Sequence, residues 1–263
     1  MKIVNFQGGL GNQMFIYAFS QYLSRQYPRQ KIYGAYWSGS LHQHTSFPPH
    51  HFIIDCISKF ARLLERTHIV SDEETERSVF YNGYWLDKKY WKDVDLRELF
   101  RFRKPTLSVE AEEYLNKISS NAVSVHIRRG DYLSRDNLNK FGIFCTEHYY
   151  QLAIERITQE QPDTCFFVFS DDIPWVQKNM CIPNAHFVNC HHGDDNWKDL
   201  FLMSCCKHNI IANSTFSFWA AMLNPNPNKM VFYPQRWFYW ETPDIFPDSW
   251  ISINTEEVER KYL

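Results

Sequence analysis

The sequence predicts an α/β protein of two lobes with a cleft between them, and three observations carry that prediction. Short apolar runs alternate with amphipathic stretches through the second half, a strand, glycine turn and helix open the first half, and 263 residues suffice for two small domains. Repeated strand-helix-strand order with one-helix crossovers implies parallel sheets wrapped on both faces. Such sheets bind ligands beyond the carboxyl ends of their strands.

In the first half the strand Lys2–Phe6 leads through glycines into a helix over Leu10–Tyr27. Strands follow at Lys31–Ala35 and Val79–Tyr84, with helices near Lys88–Phe100 and Ser108–Ser119. The stretch from His42 to His51, rich in histidine and proline, reads as loop, and Arg101-Phe-Arg-Lys-Pro-Thr106 reads as a connector because proline disfavours helix in the residue before it. In the second half the apolar runs Ala122–Ile127, Phe166–Ser170, His186–Asn189, Asn209–Asn213 and Met230–Tyr233 are strands. The amphipathic stretches Glu147–Glu160, Trp175–Met180, Asp195–Cys206 and Phe216–Leu223 are the helices between them. The expected lobes are residues 1–118 and 119–263.

Thirty acidic against 28 basic residues give a net charge of −2, so no broad basic field exists and nucleic acid is excluded as a partner. A phosphate-bearing small molecule needs only a local site. Seven cysteines, an odd number without a C-x-x-C pair, point to free thiols in a reducing cytosol. The first residues do not read as a signal peptide, and no apolar run approaches the length of a membrane span.

The most informative segment is Ser124-Val-His-Ile-Arg-Arg-Gly-Asp-Tyr132, where an apolar strand runs into two guanidinium groups, a glycine and a carboxylate. Arginine's planar fork of donors matches phosphate oxygens, and two such groups could neutralise a diphosphate without a metal. Adjacent residues at a strand end point in different directions, so one arginine can reach a ligand while the other braces the loop. Gln7-Gly-Gly-Leu-Gly-Asn-Gln-Met14 lies between a strand and a helix, where glycines let backbone N–H groups approach a ligand. It is not a dinucleotide fingerprint, since Met14 stands where the third glycine belongs. Asn213, Ser214 and Thr215 are helix caps or phosphate-side groups, and both roles can hold together. Asp93-Val-Asp95 imitates a metal-holding D-x-D pair but opens a helical pattern, where acids cap the first turn. The pairs His42/His44, His50/His51 and His191/His192 lack a metal-site spacing. Aromatics make up 17% of the chain. Most are core, and a few exposed rings would form platforms for sugar faces.

Gly8-Gly-Leu-Gly-Asn-Gln-Met-Phe15, Asn82-Gly-Tyr-Trp85, His126-Ile-Arg-Arg-Gly-Asp-Tyr132, Phe169-Ser-Asp-Asp172 and Asn213-Ser-Thr-Phe-Ser-Phe-Trp219 occur in this order. The set resembles the α-1,2-fucosyltransferases of glycosyltransferase family 11, over nearly the whole chain. The resemblance implies a GT-B-like fold of two Rossmann-like lobes. The C-terminal lobe would hold GDP-fucose, and the N-terminal lobe would shape the acceptor side. It implies inverting transfer of L-fucose from GDP-β-L-fucose to O2 of a terminal galactose, without a divalent metal or other cofactor. By motif, Arg128 and Arg129 are the diphosphate contacts and His126 a nucleotide or pyrophosphate contact. Gly9, Gly11 and Asn12 lie near the β-phosphate or fucose, Ser214, Thr215 and Ser217 on the phosphate side, and Asp199 on the guanine. Asp131 and Asp136 compete for the role of base, and Trp85 with Tyr84 would contact the acceptor. The partners implied are GDP-fucose and a galactose-terminated oligosaccharide or lipid-linked glycan, in the cytoplasm, with peripheral contact at the inner membrane face left open. A fucosyltransferase of different linkage and a catalytically silent glycan-binding protein are the alternatives.

Overall fold

The computed structural model describes residues 1–36, 78–102, 105–118, 121–142 and 144–254. The expected loop at residues 42–51, with its histidine pairs, lies outside these residues. Packing divides the chain into two compact units, Met1–Leu99 and Phe100–Leu263. The break falls earlier than the expected 118/119 because the intervening segment packs with the second unit. Tyr114 Oη donates to Phe187 O at 2.8 Å. The rings of Phe100 and Phe102 meet Trp219 and Phe201 edge-on.

The first unit contains β1 (Lys2–Phe6), α1 (Leu10–Gln26), β2 (Ile32–Tyr36), β3 (Phe80–Tyr81) and α2 (Leu96–Leu99). Its sheet has the order β2-β1-β3 with both pairings parallel, Val4 lying opposite Gly34 and Tyr81. Val4, Phe6, Ile16, Phe19, Leu23, Tyr81 and Tyr90 form the core between sheet and α1. The single helix expected over Lys88–Phe100 is instead a 3-10 turn at Lys88–Tyr90 followed by α2. Asp87 caps the first by accepting from Lys89 N, and Asp95 Oδ1 accepts from Arg97 N and Glu98 N, both at 3.1 Å. Two caps so close together divide the stretch, and Asp95 is a capping acid.

The second unit contains β4 (Ala122–Ile127), β5 (Cys165–Ser170), β6 (Ala185–Val188), β7 (His208–Ile210), β8 (Val231–Pro234) and β9 (Ile251–Ile253). Its helices are α3 (Val109–Lys117), α4 (Glu147–Glu160), α5 (Ile173–Asn179), α6 (Trp197–Cys205) and α7 (Thr215–Leu223). Every pairing in its six-stranded sheet is parallel, and every residue of β4 is buried, as a sheet covered on both faces requires. Side chains start three of the helices: Ser108 accepts from Ala111 N, Thr146 from Tyr149 N and Asp172 from Trp175 N. The order is β6-β5-β4-β7-β8-β9. The chain builds outward from β4 to β6, then returns to build outward on the other side of β4, so a topological switch point lies between β4 and β7. Ligands of open α/β sheets bind beyond the strand ends at such a point.

Candidate active site at the switch point

Past the end of β4 the chain carries Arg128 and Arg129, and past the end of β5 it carries Asp171 and Asp172. Arg128 Nη1 lies 2.7 Å from Asp171 Oδ2, and its Nη2 lies 2.5 Å from Asp131 Oδ1. Burial works against the charge on Arg128, but Asp171 and then Asp131 more than offset it and push its pKa up. Arg129 faces the other way. Its Nε donates to Asp172 Oδ2 at 3.2 Å, and its guanidinium lies 3.2 Å from the centre of the Trp175 ring. The Arg129 backbone N–H donates to Asp171 Oδ1 at 2.9 Å, so Asp171 is held by both arginines. Gly130 is required here, because a side chain at that position would strike the Asp171 carboxylate.

Beyond β7 the backbone turns at Asn213, which is buried and fully engaged. Its amide donates to Phe141 O and Trp237 O, and its carbonyl accepts from Tyr132 Oη at 2.9 Å. Tyr132 follows the arginine loop, so that one hydrogen bond joins the ends of β4 and β7. Ser214 is the N-cap residue of α7 but makes no side-chain cap, and Ser217 turns inward to Ser214 O at 3.3 Å. Of the three expected cap residues, Ser214 therefore does not cap this helix with its side chain. Thr215 stands at the first helical position.

His126 is buried in β4, with no partner for Nδ1 among the described residues. Burial, with the Arg128 charge second, lowers its pKa to about 3, so the ring is neutral at any working pH. It contributes shape and at most one N–H rather than charge.

Asp199 lies in the first turn of α6, and its Oδ1 sits 2.6 Å from His191 Nδ1, three residues beyond β6. Burial raises the Asp199 pKa, and His191 opposes the shift. No described donor reaches its second oxygen. Cys190 joins this pair, so three ligand atoms lie within 4.8 Å of one another, a grouping that sequence spacing did not reveal. Burial pushes the Cys190 thiol up to about 11, which keeps it protonated as the chain stands. A cation bound here would have to displace the thiol proton and part the His191–Asp199 bond.

In the first unit the glycine turn has its left-handed residue at Gly8, φ +72°, where a Cβ would lie 2.6 Å from Asn12 Nδ2 and 3.2 Å from Tyr84 Cε1. Gly9 is the N-cap of α1, and Gly11 is buried in its first turn. Gln13 Nε2 folds back to Gly8 O at 2.8 Å, so Gln13 closes the turn rather than facing outward. Trp85 is partly buried. Its ring stacks on Phe19 at 3.8 Å and meets Tyr81 and Tyr90 edge-on, packed against the core of the first unit. Tyr84 is the exposed member of the pair.

The structure thus gathers Arg128, Arg129, Asp131, Asp171 and Asp172 at one sheet end, and sets Asp199 apart with His191. Asp136 is exposed, with no partner among the described residues. Asp171, Tyr132 and His191 were passed over as site residues in the sequence. Only the Ser170-Asp-Asp172 run, at a strand end, signalled the first of them.

A fork of positive charge at the switch point of a parallel α/β sheet is suited to a phosphate-bearing ligand. The sequence profile described as glycosyl transferase family 11 matches residues 74–254, and the chain belongs to that family. It is 32% identical to an alpha-1,2-colitosyltransferase of Escherichia coli, over 95% of this chain and 98% of that protein. It is 25% identical to a galactoside 2-alpha-L-fucosyltransferase, SEC1, of Bos taurus, over 84% of this chain and 63% of that protein. The fucosyltransferase NodZ from Bradyrhizobium superposes with a TM-score of 0.51 at 15% identity, covering 89% of this chain and 97% of that one, and so shares the GT-B-type fold. Among the described residues no helix is long and apolar enough to cross a membrane.

Proposed function

We propose that this chain transfers L-fucose, with inversion, from GDP-β-L-fucose to O2 of a terminal galactose, forming an α-1,2 linkage. The observation that carries the reading is Arg128: a guanidinium at the switch point whose two terminal nitrogens each address a separate acceptor. In the free chain those acceptors are Asp131 and Asp171. Asp171 is clamped by Arg129 N, whereas the Asp131 side chain is 58% exposed and held by Arg128 and little else. An arriving diphosphate therefore displaces Asp131 from the fork and keeps Asp171 as the brace. Once released, the Asp131 side chain stands beside the reacting centre, where a general base for the sugar hydroxyl is needed. The bond from the galactose oxygen to the anomeric carbon forms as the bond to the β-phosphate oxygen breaks. The hydroxyl proton passes to Asp131, and Arg128 offsets the charge gathering on GDP, as preorganised donors do.

Asp199 fits the guanine, because its contact with His191 leaves its second oxygen as an acceptor for the N1–H and N2–H donors of that base. Neighbouring strands lie ~4.8 Å apart, so the step from β6 to the β4/β7 boundary is of order 10 Å, suited to a nucleoside diphosphate laid along the strand ends. A site for the base leaves the donor sugar open. The colitosyltransferase relative favours a second reading, transfer of colitose, which lacks the 3-hydroxyl of fucose. Incubation with GDP-fucose or GDP-colitose and a panel of galactose-terminated glycans, with EDTA present, followed by linkage analysis, tests both. Fucose on O2 under EDTA supports the first. Colitose transfer alone selects the second, and rescue by Mn²⁺ would bring Cys190, His191 and Asp199 forward as a metal site. Transfer with neither donor would overturn the proposal.

A further inference from the structure

We propose that Tyr239 and Trp240, on the turn after β8, form the platform on which the acceptor glycan lays its inner sugars, an inference that rests on the transfer reading above. Among the described residues eight large apolar side chains are exposed, and four of them, Leu133, Leu138, Tyr239 and Trp240, lie on segments that leave the carboxyl ends of β4 and β8. In a parallel sheet those ends share one edge. That edge also carries Arg128.

The platform is built rather than loose. Trp237 is buried and its carbonyl accepts from Asn213, while its N–H donates to Thr242 Oγ1. Phe238 N donates to Glu241 O at 2.9 Å, closing the turn that presents Tyr239 and Trp240, and Tyr239 N donates to Lys140 O at 3.2 Å. The Trp240 ring stacks on Phe238 at 4.9 Å and 7° and stays 59% exposed, so one face is fixed and the other is open. From Arg128 the path runs over the Tyr132 ring at 5.6 Å, then to Phe141 at 5.2 Å, then to Trp240 at 6.4 Å. No step exceeds the last. The separation is that of a short oligosaccharide extending away from the reacting sugar.

A sugar fits this surface better than a bilayer does. Along the same two segments Arg128, Arg129, Arg135, Lys140 and Arg236 are balanced by Asp131, Asp136, Glu241, Asp244 and Asp248, so the rim has no excess positive charge for anionic lipid. An aromatic face bordered by groups of both signs offers apolar contact to a pyranose ring and hydrogen bonds to its hydroxyls.

The test compares acceptors of different length on the full chain. For Trp240→Ala the KM rise with a galactose-terminated trisaccharide should exceed the rise with methyl galactoside by about tenfold, Trp240→Phe should recover most of the difference, and the donor KM should not follow. Saturation-transfer NMR with the trisaccharide and GDP, which needs no turnover, should show Trp240-dependent contact at the inner sugars. Equal effects on both acceptors, or NMR contacts unaltered by the substitution, would overturn the proposal. So would loss of binding to phosphatidylglycerol vesicles with acceptor KM unmoved, which would make the rim a lipid surface. Absence of transfer by the unmodified chain would count against the transfer reading, while the NMR arm would still decide the platform.

Discussion

Replacing Arg128 and Arg129 separately by lysine should divide chemistry from stability, and the geometry says which residue does which. Arg128 addresses two carboxylates from two different nitrogens, at 2.7 and 2.5 Å, and remains about a quarter exposed. A lysine ammonium keeps the charge but cannot span both positions. One charge-assisted hydrogen bond is lost where the leaving diphosphate would sit, worth about 1.5–3 kcal/mol. At tenfold per ~1.4 kcal/mol, kcat for Arg128→Lys should fall by roughly 10- to 150-fold. Arg129 instead stacks on Trp175 and bonds Asp172, contacts within the protein. Losing a stacked guanidinium costs about 0.5–2 kcal/mol, and at ~2–4 °C per kcal/mol for a unit of this size Arg129→Lys should lower Tm by a few degrees. Steady-state kinetics with the GDP-sugar, GDP titration calorimetry and thermal unfolding would be run on both variants. Near-normal kcat and GDP affinity in Arg128→Lys would refute a diphosphate at the switch point. A larger kcat loss in Arg129→Lys, with Tm unchanged, would mean the two roles are reversed.

Asp131→Asn should lower kcat by more than tenfold while GDP binds as well or better, because the competing carboxylate has left the Arg128 fork; Asp136→Asn, altering an exposed acid, should change neither, and the opposite pattern would make Asp136 the base. Since His191 opposes the burial that raises the Asp199 pKa, His191→Asn should move the acid limb of GDP binding to higher pH, whereas Asp199→Asn should abolish preference for guanine over adenine nucleotides at every pH. A merely structural His191 would lower Tm without moving the limb. His126 and His208 have folded pKa values lowered to about 3 and about 4, below the unfolded value near 6.5, so their contribution is present above 6.5 and lost as pH falls toward those values. Urea unfolding should show stability declining from pH 6.5 to 4, by up to ~1.4 kcal/mol per unit for each group. His208→Asn, which keeps an acceptor for the Met230 amide, should flatten that decline.

Strands and helices of the second unit are legible in the sequence because each carries its own period, and β4 and α4 match the expected bounds residue for residue. Ile251–Ile253 escaped notice, since three residues cannot display an alternation. The stretch from Lys88 to Leu99 misled for the opposite reason: its composition is helical throughout, and the two aspartate caps that split it act through single hydrogen bonds that no periodicity records.

The site divides along the same line. The strand-end placement of Arg128 and Arg129 is legible because chemistry and position coincide within a few residues. Their partners are not, because parallel pairing brings Asp171 beside Arg128 across more than forty positions of chain, and the sheet order that does so is a property of all six strands. The aromatic residues show the limit most clearly. Trp85 and Trp240 each sit in a cluster of rings, so composition gives them equal claims to a sugar. What separates them is which face a neighbour covers: Phe19 lies 3.8 Å below Trp85 with Tyr81 and Tyr90 at its edges, while Trp240 has Phe238 behind it and open surface in front. Occlusion is decided by the tertiary contacts of a ring and not by its neighbours in sequence. A binding aromatic can therefore be recognised only after the core has claimed the others.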